Sequence, residues 1–225
     1  EPVWELDTKY AGLTRKEKLE LVRGKMAELG ADVFVIPALD EVAWLLNLRG
    51  GDVLYTPVFL SYLLLTHDQA TLCVQKEAVS AEIEASLRAD GVTLAPYDEI
   101  YRLIAALPEG TRVLLDGASA NYRITQSVPA GAETLDRPSP IQLMKAMKTP
   151  AEQENERLAH IKDGVAVTRF LYWLKHTVGR EPITEISAAK KLEALRAEGE
   201  HYLEQSFDPI LAYGAHGAIV HYEPT

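Results

Sequence analysis

Short apolar runs alternate with helix-period stretches along residues 14–125, and that alternation constrains the fold of the 225-residue chain more than any other feature. Thr14 stands three residues before Glu17, the spacing of a capping box. Leu19, Leu21, Val22, Met26 and Leu29 then share one expected helical face before Gly30 stops the helix. The apolar run Val33-Phe34-Val35-Ile36 reads as a strand, and a helix over 39–46, with Asp40 and Glu41 in its first turn, precedes the Gly50-Gly51 turn. Residues 61–65 and 71–74 read as two strands; His67-Asp68-Gln69 between them has hairpin length, so they should pair antiparallel. Helical periodicity over 81–87 leads to a strand at 92–94, a helix over 100–107 to a strand at 113–115, and residues 119–125 add a short helix. This order predicts an α/β fold with helices packed on a mixed sheet.

The Pro-rich stretch Arg137-Pro138-Ser139-Pro140, a short helix through Met147 and the pair Thr149-Pro150 set a domain boundary near residue 148, giving domains 1–148 and 149–225. Pro150 suits the first turn of a long helix that would carry Leu158, Ile161, Val165, Val167, Phe170, Leu171 and Leu174 toward a core, up to Val178-Gly179. Thr184 caps a second helix through Ile186, Ala189, Leu192 and Leu195. A β-like tail is expected after it, with Ser206-Phe207, Ile210-Leu211 and Ala218-Ile219-Val220 divided by a turn at Gly214 and Gly217. Two helices and a few strand fragments make an incomplete domain. The apolar faces of helices 151–178 and 184–197 lack partner surface, so homo-oligomers are expected. The first residue, Glu1, and the end at Thr225 directly after Tyr-Glu-Pro read as cuts from a longer protein.

Charge and cysteine content narrow the function classes. Thirty-three acidic against 23 basic residues give a formal net charge of −10, and the basic clusters at 15–18 and 190–191 are short, so a nucleic-acid partner is not expected. The single cysteine, Cys73, lies in the apolar run 70–74, where it reads as a small buried thiol. One cysteine makes no internal disulfide, which fits a reducing, cytoplasmic compartment. Apolar stretches such as 63–65 fall far short of the roughly 20 residues needed to cross a bilayer, and no charged-then-apolar leader opens the chain, so neither a membrane nor an export role is indicated.

No HExxH, CxxC, P-loop or GxSxG occurs. Gly214-Ala215-His216-Gly217 has glycine spacing loosely like a phosphate loop but no following lysine, and reads as a plain turn. Of the six histidines, His67 falls in the hairpin loop, His160 on a helix among charged neighbours, and His176 in the last turn of the long helix, where its positive form suits the dipole; His201 and His216 carry no stronger signal. His221 differs, because it follows Ala218-Ile219-Val220 and is bracketed by Tyr222 and Pro224. At the end of a buried strand it could present a ring nitrogen to a cavity. The pairs Asp40 with Glu41, Asp98 with Glu99 and Glu152 with Glu154 sit at helix starts, where solvated carboxylates favour the dipole; a two-metal site needs carboxylates converging from different elements.

The segment Ala38-Leu39-Asp40-Glu41-Val42-Ala43-Trp44-Leu45-Leu46-Asn47-Leu48-Arg49-Gly50-Gly51-Asp52-Val53, with Pro57-Val58-Phe59 and Ser61-Tyr62 behind it, resembles the middle domain of the three-domain, eukaryotic-type aminopeptidase P family, Xaa-Pro aminopeptidases of the M24 metallopeptidases. Ala159 to Ala166 resembles that family's first catalytic-domain helix, Thr184 to Ala189 its second, and Gly217-Ala218-Ile219-Val220-His221-Tyr222-Glu223-Pro224 the approach to its active site. The resemblance runs in order from about residue 8 to the end.

The resemblance implies a creatinase-like mixed-sheet middle domain followed by the incomplete N-terminal part of a pita-bread catalytic domain. It further implies a two-metal peptidase, with divalent ions of the manganese type, that removes the first residue from peptides whose second residue is proline. His221 matches by position the family histidine that contacts the bound peptide and helps stabilise the transition state, while a metal-bridging hydroxide attacks the carbonyl. The family's metal ligands, two aspartates, a histidine and two glutamates, follow the segment matching His221, whereas this chain ends at Thr225. A fragment of such an enzyme, inactive alone, is therefore expected. The alternative is a non-enzymatic peptide- or protein-binding module of pita-bread type. Arg49 has no role readable from sequence.

Overall fold

The computed structural model describes residues 1–224. A two-residue strand β1 (Trp4–Glu5) and a single-turn helix α1 (Thr8–Ala11) open the chain. Thr14 and Glu17 then form the expected reciprocal capping box at the start of α2 (Arg15–Leu29). Gly30 closes α2 at φ 69°, a left-handed conformation that suits a residue without a Cβ. Leu19, Val22 and Met26 are buried as expected, but Leu21 and Leu29 are half-exposed, because they lie beyond the arc of the helix that faces the sheet.

β2 (Val33–Ile36) and α3 (Leu39–Leu46) follow, then β3 (Leu48–Arg49), which pairs antiparallel with β1. β4 (Ser61–Thr66) and β5 (Ala70–Val74) form the antiparallel hairpin, with Leu63 opposite Leu72. The sequence then runs α4 (Ala81–Ala89), β6 (Val92–Pro96), α5 (Glu99–Ala105), β7 (Arg112–Leu115), α6 (Tyr122–Ser127), β8 (Glu133–Asp136) and α7 (Pro140–Ala146).

Six of these strands make one sheet in the order β6-β5-β4-β2-β7-β8. β4 runs antiparallel to both its neighbours, and the outer pairs, β5 with β6 and β7 with β8, are parallel, as is β2 with β7. The two-residue side-chain period divides the strands between two cores. Phe34, Ile36, Leu63, Leu65 and Leu72 face α2, α3 and α7 through Leu19, Met26, Val42, Leu45 and Ile141. Val33, Val35, Leu64, Cys73 and Val113 face α5 and α6 through Ile100, Ile104 and Ile124. Each fully buried leucine or phenylalanine contributes about 1.5–3 kcal/mol before chain entropy is set against it.

Three strands escape the sequence reading. β1 and β3 are too short to carry a period, and β8 is a polar edge strand in which only Leu135 is even partly covered. The expected placement of Glu41 is also corrected. Glu41 is not a solvated first-turn carboxylate: it is 3% exposed and its Oε2 accepts a 2.7 Å bond from the Ser139 hydroxyl. The α3 face that carries Val42 and Leu45 is buried over a wider arc than the helix dipole argument considers, and Glu41 goes in with it.

The chain divides into two compact units, one of Glu1–Glu152 and one beginning at Gln153. In the first, Thr149 and Glu152 exchange backbone-to-side-chain bonds of 2.8 and 3.2 Å that start α8 (Pro150–Thr177). Gly12 is required nearby: at φ 76° a Cβ would lie 2.0 Å from Thr149 Oγ1. In the second unit α8 packs against α9 (Glu185–Ala197) through Ala166, Phe170, Ala188 and Leu195, with Trp173, Leu174 and Leu192 partly covered. Leu158, Ile161, Val165 and Leu171, expected to face a core, are exposed.

The expected β-like tail does not form. Residues 206–207, 210–211 and 218–220 are not strands, and Gly214–Ala218 is a 3₁₀ turn. A strand needs a partner for its backbone groups, and among the described residues none lies beside these segments. Val220 is accordingly 82% exposed rather than part of a buried strand leading to His221.

Candidate functional site

Thr184 caps α9 by accepting from the Ser187 amide, and this places Glu185 in the first turn, where the positive end of the helix dipole favours a carboxylate. Three groups from the segment beyond α9 converge on that carboxylate. The Tyr213 amide donates to Oε1 at 2.5 Å and the Tyr222 hydroxyl donates to Oε2 at 2.6 Å. His216 Nδ1 lies 3.1 Å from both oxygens. Nδ1 is also 2.8 Å from Tyr222 Oη, and the two rings tilt together with centroids 4.8 Å apart. Since the Tyr222 proton is directed to Glu185, Oη is free to accept, so the shared arrangement requires the hydrogen on Nδ1. The Tyr222 bond, followed by the Tyr213 amide and His216, holds the Glu185 carboxyl below the usual carboxylate range, and the same bond raises the Tyr222 phenol.

His221 is the residue before Tyr222 in the chain and makes none of these contacts. It is exposed, and its backbone is left-handed at φ 54°, between His216 and Tyr222, which both contact Glu185. His216, read from sequence as part of a plain turn, is thus drawn into a cluster with a partner 31 residues away. No local pattern signals that pairing.

The other histidines lie outside the Glu185 cluster. His67 Nε2 lies 3.0 Å from the Ala31 carbonyl, and His176 Nδ1 lies 2.8 Å from the Tyr172 carbonyl with the two rings tilted at 32° and their centroids 4.1 Å apart. His160 and His201 line a groove of about 640 Å³ with Lys162, Asp163, Arg169 and Tyr202. Neither Glu185 nor His221 is among the residues lining that groove. The carboxylate pairs do not converge. Asp40 pairs with Lys145, Glu99 with Arg102 and Glu154 with Arg157, Glu41 accepts from Ser139, and Glu152 caps Thr149. Among the described residues no group of three or more His, Cys, Asp or Glu could hold a metal ion.

In the first unit, Arg49 donates from Nη1 to the Ala43 and Leu48 carbonyls at 3.0 and 2.9 Å, adding a second donor to the Ala43 carbonyl that the Asn47 amide already meets at the end of α3. Lys18, 2% exposed, donates from Nζ to the Trp44 carbonyl and to Asn47 Oδ1 at 2.9 and 2.7 Å, and lies 4.3 Å from the Trp44 ring centroid. Burial pushes its ammonium down to about 8, with Glu152 opposing the shift and Arg49 adding to it. Cys73 is fully buried, and burial raises its thiol to about 12.

Residues 1–152 match the family model of the creatinase/prolidase N-terminal domain, and residues 154–225 match that of metallopeptidase family M24. Xaa-Pro aminopeptidase 1 of Dictyostelium discoideum is 34% identical over 97% of this chain, which spans 35% of that protein. Aminopeptidase P2 of Arabidopsis thaliana is 34% identical, with the same 97% and 35% coverage. Among solved structures, X-prolyl aminopeptidase from Caenorhabditis elegans, described as a cytosolic enzyme with a di-nuclear active site, superposes with a TM-score of 0.93. It is 34% identical, over all of this chain and 38% of that one. The chain therefore spans little more than a third of the length of these relatives.

Proposed function

The chain belongs to the creatinase/prolidase N-terminal domain family and continues into metallopeptidase family M24, and from this premise we propose that it is part of a metal-dependent Xaa-Pro aminopeptidase. The substrate class is peptides with proline at position two, from which the enzyme releases the first residue. The observation that carries this reading is a likeness to named Xaa-Pro aminopeptidases extending through both units. We assign residues 1–148 to the middle domain and 149–225 to the start of the catalytic domain. The protein's site is cytoplasmic, a reading supported by the lone buried thiol and by the cytosolic relative.

Two divalent ions, manganese in this reading, are proposed for the complete enzyme. The described residues do not fit them, since they contain no cluster of ligands. The ligands therefore belong to other parts of the protein, and residues 1–225 do not hydrolyse peptides alone. What the chain brings to the reaction is His221, an exposed imidazole at the end of the turn over 214–221, proposed to contact the bound peptide and to counter charge developing on its scissile carbonyl.

The lack of a ligand cluster also favours a second reading, in which the protein binds peptides or proteins without cleaving them. The longer protein, supplied with manganese and a peptide beginning Xaa-Pro, separates the two. Mass spectrometry should show release of the first residue, abolished by a chelator and by replacing the proline with alanine. Binding of the peptide without cleavage would instead support the second reading.

A further inference from the structure

We propose that Glu185 is a positioning residue for His221, acting through Tyr222 and His216; this rests on the role just given to His221. A left-handed backbone at a residue with a Cβ costs on the order of 1 kcal/mol and persists only where its surroundings hold it. At His221 φ is 54°, and the residue is exposed, so packing does not hold it. Its flanks do. Tyr222, the next residue, is tied to Glu185 Oε2 at 2.6 Å, and His216, five residues before, lies 3.1 Å from both carboxylate oxygens. The Tyr213 amide donates to Oε1 at 2.5 Å and so fixes the start of the same turn.

One carboxylate at the start of a well-capped helix thereby holds residues 213, 216 and 222, which leaves His221 few conformations. The carboxylate can do this because its charge is favoured there: it lies in the first turn of α9, accepts bonds from three donors, and keeps a depressed pKa. Charge-assisted bonds of this kind are about twice as strong as neutral ones, so glutamine would hold the turn less firmly than glutamate. An imidazole pre-set in this way delivers its hydrogen bond without an ordering cost at the moment of reaction.

The test uses the complete enzyme and steady-state kinetics on an Xaa-Pro peptide. His221→Ala, Tyr222→Phe and Glu185→Gln are measured singly, and each of the last two is combined with His221→Ala. Tyr222→Phe removes one oxygen and keeps the ring on His216, so loss of fold does not obscure the result. Tyr222→Phe and Glu185→Gln should each lower kcat by about ten- to a hundredfold, with KM little changed, the cost of a misplaced catalytic contact. In the His221→Ala background neither should lower kcat further, since the contact they align is gone. Losses that multiply in the double variants, or unchanged kcat in both single variants beside a collapsed His221→Ala, would overturn the positioning role while leaving His221 in place. An unchanged kcat in His221→Ala would overturn the role of His221 itself.

Discussion

Lys18 shows how far single residues depart from their ordinary chemistry in this fold. Its side chain is buried with Nζ over the Trp44 ring, and Nζ serves two acceptors, Trp44 O and Asn47 Oδ1. Asn47 itself sits at φ 53° as the cap of α3, and its amide donates to the Leu13 carbonyl at 2.8 Å, so the lysine supports a strained cap. In the unfolded chain its ammonium would titrate near 10.5, and in the fold it titrates near 8. The folded state therefore sheds the proton first, and the contribution of Lys18 to stability rises as pH climbs from about 8 to 10.5. Compared by urea unfolding, the wild-type chain should gain on Lys18→Met by roughly 3 kcal/mol between pH 7 and 10.5. A difference independent of pH would contradict the burial of a titrating ammonium. From sequence, Lys18 is one charge among several on a helix, and only the tertiary contacts with α3 reveal it. Cys73 is the opposite case: its apolar neighbours already announce a buried, unreactive thiol, which is what the structure holds.

At the scale of elements, capping and periodicity were readable wherever the partner surface lay within the chain. The capping box at Thr14 and the cap at Thr184 stand in the sequence as they stand in the structure, where Ser187 completes a second box. Thr14→Ala should cost about 1 kcal/mol, because it orphans the Glu17 amide, while Thr14→Asn should recover most of that loss. Equal stability of all three in chemical denaturation would show that α2 is held by packing alone. The hairpin β4–β5 was equally legible, since two apolar runs flank a polar loop of hairpin length. The tail was not: Ala218-Ile219-Val220 has strand composition, yet composition cannot supply a neighbouring strand, and the described residues contain none beside it. The Glu185 cluster was hidden for a related reason, because its members are separated by up to 37 residues and meet only once α9 and the turn have both formed.

For the whole molecule, the two units contribute unequally to the proposed chemistry. The first unit is a finished sheet with a core on each face, and its described residues hold no group of three or more His, Cys, Asp or Glu that could bind a metal ion. The second has a small core of its own and several exposed apolar residues along α8, together with the histidine proposed to meet the substrate. Family membership was legible because it is spread over long ordered blocks in both units, whereas the state of His221 depended on contacts no block displays. The proposal that these residues carry part of a peptidase site, without its metals, is tested by purifying residues 1–225 and supplying manganese with an Xaa-Pro peptide. Release of the N-terminal residue should stay at the rate without protein, under conditions in which the longer enzyme turns the peptide over. Metal-dependent cleavage by residues 1–225 alone would contradict it.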